Sequence, residues 1–160
     1  MNVFNAIMSH PQVNIGALES HEIQSALEIV RASFDSSFHE AAQVDISATF
    51  SSYPYAPLSF IAKDRNWPVG FVQSVTAYFH PNTYSIVWLC VLPGYRKQGI
   101  GASLLSFAEE FVTSTRFSRG NGSFLLVSTI TPAYYEQFGY MHATFTHDGH
   151  PLMIKHVRTG

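Results

Sequence analysis

The chain lacks most of the features that would place it in a class at once. It has a single cysteine, Cys90, in 160 residues, so no internal disulfide can form and nothing points to a disulfide-stapled exported scaffold. Charge is scarce as well: Asp, Glu, Lys and Arg make up 12% of the residues, about half of the roughly 25% usual in a soluble domain. Nine basic residues against eleven acidic ones give a formal net charge of -2. That balance has none of the clustered Lys and Arg that a phosphate backbone demands, so a nucleic-acid partner is not expected. No apolar run approaches the roughly 20 residues of a membrane helix. The opening MNVFNAIMSH has neither the basic start nor the apolar stretch of a signal peptide. These absences lead us to expect a cytoplasmic protein with no membrane contact.

What is present is a 46% hydrophobic composition over 160 residues, enough for one domain spanning residues 1–160 with a core of ordinary size. The few charges are unevenly spread. Residues 1–90 hold three Lys/Arg and seven Asp/Glu, 3 - 7 = -4, and residues 91–160 hold six against four, 6 - 4 = +2. An acidic first half and a basic second half would suit bringing a cationic partner to an anionic one. A chance scatter of few charges fits equally well.

Periodicity orders the chain. Gln12 to Ala17 has the pattern of a short strand, and Leu18 to Phe34 shifts to helical spacing with Ile23, Leu27, Val30 and Phe34 on one side. Ser36 is a candidate cap for a second helix, Ser37 to Phe50, which the prolines of Ser51 to Pro57 must end. Three strand-like runs follow, Leu58 to Lys63, Val69 to Phe79 and Tyr84 to Leu92, joined by turn formers as in an antiparallel meander. Ile100, Leu104, Leu105, Ala108, Phe111 and Val112 form the clearest amphipathic helix. Ser123 to Ile130 is a buried strand, Thr131 to Phe138 a short helix with Pro132 in its first turn, and residues 141–157 a hairpin around HDGH. The expected order β, α, α, β, β, β, α, β, α, β, β is a mixed α/β (α+β) domain.

The chemistry concentrates between Tyr84 and Phe111, where a strand meets a turn containing Arg96, Gly99 and Gly101 and then a helix. The first amides of a helix have no internal acceptor and lie at the positive end of its dipole, so they can bind a phosphate. Glycines carry no Cβ to hold the anion off. Neither common nucleotide motif fits: the third glycine of GxGxxG is replaced by Leu104, and GxxxxGK[ST] is absent.

Arg96-Lys97-Gln98-Gly99-Ile100-Gly101, preceded by Val91-Leu92-Pro93-Gly94-Tyr95 and followed by Leu104-Leu105, resembles the [QR]xxGx[GA] signature of the GCN5-related N-acetyltransferase (GNAT) superfamily. A second segment, Tyr134-Tyr135-Glu136-Gln137-Phe138-Gly139-Tyr140, is similar to that family's F-Y-x-x-x-G-F. The resemblance implies a mostly antiparallel sheet of about seven strands flanked by about four helices and splayed between the fourth and fifth strands. It also implies an enzyme that moves the acetyl group of acetyl-CoA directly to a primary amine in a ternary complex. The donor's pyrophosphate would lie on the amides of Arg96, Lys97, Gln98, Gly99, Ile100, Gly101 and Ala102. Its pantetheine would lie beside Cys90 and Val91, with an N–H near Val91 polarising the thioester carbonyl, and Ser128 standing where relatives place an asparagine.

Tyr135 matches the family tyrosine that protonates the departing thiolate. The usual base position falls on Ser85, which cannot deprotonate an ammonium; His80, His39, Glu40, Asp35 or a water chain are the substitutes. Cys90 lies mid-strand without a basic neighbour, which indicates a buried thiol rather than a nucleophile. Trp88, which alternates with Cys90, is expected in the core. The acceptor is expected against Phe34, Asp35, Phe38, Glu40, Tyr53 and Tyr55, or that uncharged aromatic surface is a homodimer contact. None of the eight histidines, including His142, His147, His150 and His156, has metal-ligand spacing, so no metal is expected. A binding or sensing module with little turnover, and an acyltransferase with another acyl donor or acceptor, remain the competing readings.

Overall fold

The computed structural model describes residues 12–77, 82–114 and 122–158. Seven strands form one sheet: β1 (Val13–Ala17), β2 (Leu58–Asp64), β3 (Trp67–Thr76), β4 (Thr83–Val91), β5 (Ser123–Ser128), β6 (Met141–Phe145) and β7 (Pro151–Val157), in the spatial order β1-β2-β3-β4-β5-β7-β6. Four α-helices cover it: α1 (Ile23–Arg31), α2 (His39–Ala48), α3 (Ile100–Thr113) and α4 (Pro132–Glu136). Every strand pair is antiparallel except β4 and β5, which run parallel. The mixed fold, its strand and helix content and the splay expected from the sequence are all present.

Side-chain alternation explains the layering, since successive residues of a strand face opposite sides. Phe60, Ala62 and Val72 face α3 and join Leu104, Leu105, Ala108 and Val112 in one core. Ile61 and Phe71 face the other way, onto Ala26, Ile29, Val30, Ala42 and Ile46 of α1 and α2. Gly70 lets α3 settle closely on β3, because a Cβ there would stand 2.8 Å from Leu104 Cδ1. Lys155 Nζ and the hydroxyl of Tyr140 both donate to the Glu109 carboxylate, at 2.8 and 2.9 Å, tying α3 to the strands beyond the splay.

Several boundaries differ from the periodicity reading for local reasons. The first helix starts at Ile23, not Leu18, because the Leu18 amide donates to Ser59 O and prolongs the strand. Residues Ser20–Glu22 make a 3-10 turn in which Glu22 Oε2 accepts from the Glu19 amide at 2.9 Å. The cap before the second helix is Asp35 rather than Ser36: its carboxylate accepts from the Ser37 amide at 3.0 Å and opens a 3-10 turn, Ser36–Phe38, ahead of α2. β3 begins at Trp67, since Arg65 and Asn66 both adopt left-handed backbone (φ 48 and 70). That is the conformation of a two-residue type I′ hairpin. Pro68, which cannot donate to the ladder, is accommodated by a register shift between Ala62 and Lys63.

Two features shape the centre of the sheet. Pairing between β4 and β5 covers only Thr83 to Ser85 against Phe124 to Leu126; beyond these residues the strands part. β4 also bulges against β3, because Phe71 pairs with Cys90 and Gln73 with Val87, two steps on one strand against three on the other. Among the described residues, no helix is long and apolar enough to cross a membrane.

Candidate active site

The parting of β4 from β5 opens a cleft of about 720 Å³ whose lining includes Leu89, Cys90 and Val91 of β4, Arg96, Lys97 and Gly99 to Ala102 of the turn and α3, and Tyr134 and Tyr135 of α4. Residues as far apart in sequence as Ser33 and Phe138 therefore face one space. The turn that enters it is built for α3 to begin abruptly. Lys97 and Gly99 are both left-handed, at φ 61 and 82, and glycine adopts that region at no steric cost while lysine does not. The first helical bond that spans the turn runs from the Ser103 amide to Gly99 O at 3.0 Å, so the amides of Ile100, Gly101 and Ala102 have no acceptor within the helix.

Gly101 is packed rather than open. A Cβ there would lie 2.8 Å from the Tyr134 hydroxyl, so the glycine lets α4 pack against the start of α3. Arg96 bends back along the strand: its Nε donates to Val91 O at 2.9 Å and its Nη2 to Ser33 Oγ at 3.3 Å. The guanidinium thus lies across the end of β4 and joins α1 to the cleft.

Burial sets the chemistry of the two candidate reactive groups. Tyr135 is 7% exposed and packs edge-on against Tyr134 and Tyr140, with ring centroids 5.2 and 5.6 Å apart. Burial, with smaller contributions from Tyr134 and Cys90, pushes its phenol up to about 12. The Cys90 thiol is also pushed up to about 12 by burial, against the opposing effects of Ser33 and Arg96. It donates to Trp88 O at 3.3 Å. At neutral pH it is a thiol and not a nucleophile.

The structure brings Phe34, Cys90, Val91, Arg96, Lys97, Gly99, Ile100, Gly101, Ala102 and Tyr135 to the cleft. Gln98 lies in the turn between lining residues but is not itself part of the lining, and Ser128 is exposed at the end of β5, opposite Leu152. Phe38 is outside the cleft, edge-on to Trp88 at 6.5 Å. Asp35 is an exposed cap and Glu40 is exposed in the first turn of α2. Tyr53 and Tyr55 pack against one another at 5.7 Å, well exposed. Ser85 is paired on both sides, with Val75 and Leu126. His39 Nε2 is 3.1 Å from Phe34 O, and His80 lies outside the described residues. Among the described residues no Asp, Glu or His lines the cleft, and no group of three His, Cys, Asp or Glu could hold a metal ion.

Sequence reasoning missed Ser33, which the fold carries from the end of α1 to Arg96, and Tyr134 as the partner of Gly101. Trp88 sits at the bulge with φ 55 and half-buried rather than in a regular strand; nothing in its neighbours signals that. Tyr95, also a lining residue, stands within the quoted motif, whereas Leu89 lines the cleft on a face that regular strand alternation does not give it.

Comparison with known proteins agrees with this geometry. The family model described as "Acetyltransferase (GNAT) family" matches residues 23–140. Among solved structures, a PaiA N-acetyltransferase from Thermoplasma acidophilum, in complex with coenzyme A, superposes with TM-score 0.71 at 17% identity, covering 91% of this chain and 99% of that one. The ribosomal-protein-S18-alanine N-acetyltransferase of Escherichia coli gives 0.69 at 19% identity over 92% and 96%. An aminoglycoside 6'-N-acetyltransferase from Enterococcus faecium gives 0.71 at 16% identity over 89% and 96%. No curated protein matches by sequence.

Proposed function

Because this chain belongs to the acetyltransferase (GNAT) family, we propose that it is an acetyl-CoA-dependent N-acetyltransferase acting on a primary amine through a ternary complex. The observation that carries the reading is the single cleft in which the parted β4 edge, the glycine turn and the buried Tyr135 hydroxyl meet. The residues fit such a donor. Amides 100–102 and the cationic side chains of Arg96 and Lys97 suit a pyrophosphate, Gly101 leaves no side chain in the way, and Leu89 and Val91 offer an apolar edge to the pantetheine. Relatives of this fold are bound to coenzyme A. When bound, the donor supplies an activated thioester.

The protein's own groups then divide the work. Tyr135, protonated throughout the neutral range, gives its proton to the sulfur as the C–S bond breaks and the N–C bond forms, and regains one from solvent. The thiolate would be a poor match for a phenol of about 12 if it kept an ordinary thiol value of about 8.5. Proton transfer is favourable only to the extent that the closed cleft also raises the leaving thiolate, as burial raises the phenol. With no carboxylate or imidazole among the described lining residues, the acceptor ammonium loses its proton to water in the open cleft.

That same lack of a lining base favours one other reading, a binding or sensing module with little turnover. Thiol release in the presence of acetyl-CoA and a panel of amines (a polyamine, an aminoglycoside, a peptide N-terminus and a lysine peptide) decides between them. Amine-dependent release above background is expected. Background release with a melting temperature still raised by acetyl-CoA would select the module, and no thermal shift at all would overturn the donor site.

A further inference from the structure

The bulge in β4 reverses the facing of the strand. Tyr84 and Ile86 point into the α3 core, as Trp88 and Cys90 would in a regular strand, yet Trp88 and Cys90 pack with the α1 and α2 core instead, while Leu89 and Val91 pack against the α3 side. The reversal happens at Trp88, whose φ of 55 is a conformation that a bulky side chain adopts only when its surroundings impose it. Those surroundings are specific. The indole ring stands edge-on to Phe34 at 5.3 Å and to Phe38 at 6.5 Å, and its Nε1 donates to Asp45 Oδ2 of α2 at 2.9 Å. Asp45 is itself held. The amide of Gln73, wholly buried on β3, donates to Asp45 O at 2.8 Å, to Ser59 Oγ at 3.0 Å and to Thr49 Oγ1 at 3.3 Å, and the two hydroxyls are 2.7 Å apart.

We propose that Asp45 is a positioning residue: through the indole N–H of Trp88 it holds the left-handed bulge of β4, and with it the Leu89-Cys90-Val91 edge along which the donor lies. The assignment rests on the donor site described above. Its logic is that β4 leaves β5 after Ser85 and must turn its next residues toward the cleft. The bulge does this, and the charge-assisted bond to Asp45 fixes the residue of β4 whose backbone is left-handed. Asp45 touches neither donor nor acceptor in this account; it acts through Trp88.

Coenzyme A affinity and indole hydrogen exchange, measured by calorimetry and NMR on the full chain, test it together. Only two indoles are present, and Trp67 is 66% exposed, so the slowly exchanging signal belongs to Trp88. Asp45→Ala should weaken coenzyme A about tenfold and speed Trp88 exchange toward that of Trp67. Asp45→Asn, which still offers an oxygen to the indole, should stay within about twofold of the wild type in both. Trp88→Phe, which keeps a ring but has no N–H, should weaken coenzyme A as Asp45→Ala does, and it decides the matter if Asp45→Ala fails to fold. Wild-type affinity in Asp45→Ala or Trp88→Phe overturns the inference, and so does an Asp45→Asn as impaired as Asp45→Ala. If the wild type itself ignores coenzyme A, the donor site falls and this role with it.

Discussion

Tyr135→Phe separates the proposed chemistry from packing more cleanly than any other substitution. The ring stays, and with it the edge-on contacts to Tyr134 and Tyr140 at 5.2 and 5.6 Å. The lost hydroxyl has no hydrogen-bond partner among the described residues, so its removal should shift the melting temperature by no more than about 1 °C. Activity should respond very differently. With the phenol at about 12 against about 8.5 for an ordinary thiol, transfer to an unshifted thiolate would be uphill by roughly 5 kcal/mol, at 1.36 kcal/mol per unit. Exclusion of water from the occupied cleft raises the thiolate too, since burial disfavours the charged form, and reduces that penalty. What remains is the general-acid contribution, typically about 10²–10⁴-fold, and kcat should fall by about 10² or more with the KM for acetyl-CoA within roughly threefold. The sign of the pH dependence follows. Tyr135 stays protonated as pH rises to 9, so the wild-type rate should climb as the acceptor ammonium loses its proton and show no descending limb before the phenol itself titrates near 12. Steady-state thiol release between pH 6 and 9.5, with thermal melts of both proteins, is the assay. An unchanged kcat in Tyr135→Phe, or a descending limb below pH 9 that the variant lacks, would refute the reasoning.

Gly101→Glu should abolish the thermal shift given by coenzyme A, because the new side chain meets the Tyr134 hydroxyl at 2.8 Å and sets a carboxylate beside the amides meant for phosphate; a retained shift would place the anion elsewhere. Gly99→Ala has open space for its Cβ but must adopt φ 82, which costs about 1 kcal/mol and should lower the melting temperature by about 3 °C. Glu22 offers a test of stability against pH. Burial alone would raise its carboxyl, but Lys63 Nζ at 2.6 Å, the Glu19 amide and His21 bring it below 4.5. A carboxyl lowered by folding stabilises above its unfolded value and ceases to as pH falls through the folded one. Glu22→Gln should therefore cost about 1.5 kcal/mol at pH 7, and the deficit should shrink below pH 4.5; a deficit constant from pH 7 to pH 3 would exclude the ion pair as its source.

Local chemistry made much of this protein legible from sequence. Leu104, Leu105, Ala108 and Val112 recur at helical spacing because one face of α3 must be buried. Gly99 and Gly101 stand where the turn needs a left-handed residue and a close approach. Period and composition are properties of a few neighbouring residues, so they survive without tertiary information, and they sufficed to delimit most strands and the glycine turn before α3. Helix starts were less legible: Leu18 acts through a hydrogen bond to Ser59 on the distant β2, and the Asp35 cap is a bond to Ser37 that periodicity does not register.

The remainder was decided by contacts between distant segments. Ser33 reaches Arg96 across 63 positions and Asp45 reaches Trp88 across 43, separations over which no periodicity extends. The parity reversal of β4 at Trp88 comes from one surplus residue against β3, and a regular alternation in the sequence gives no hint of it. The amides of Ile100, Gly101 and Ala102 are backbone groups that every sequence contains, and only the tertiary structure brings these residues to the same cleft as Tyr135.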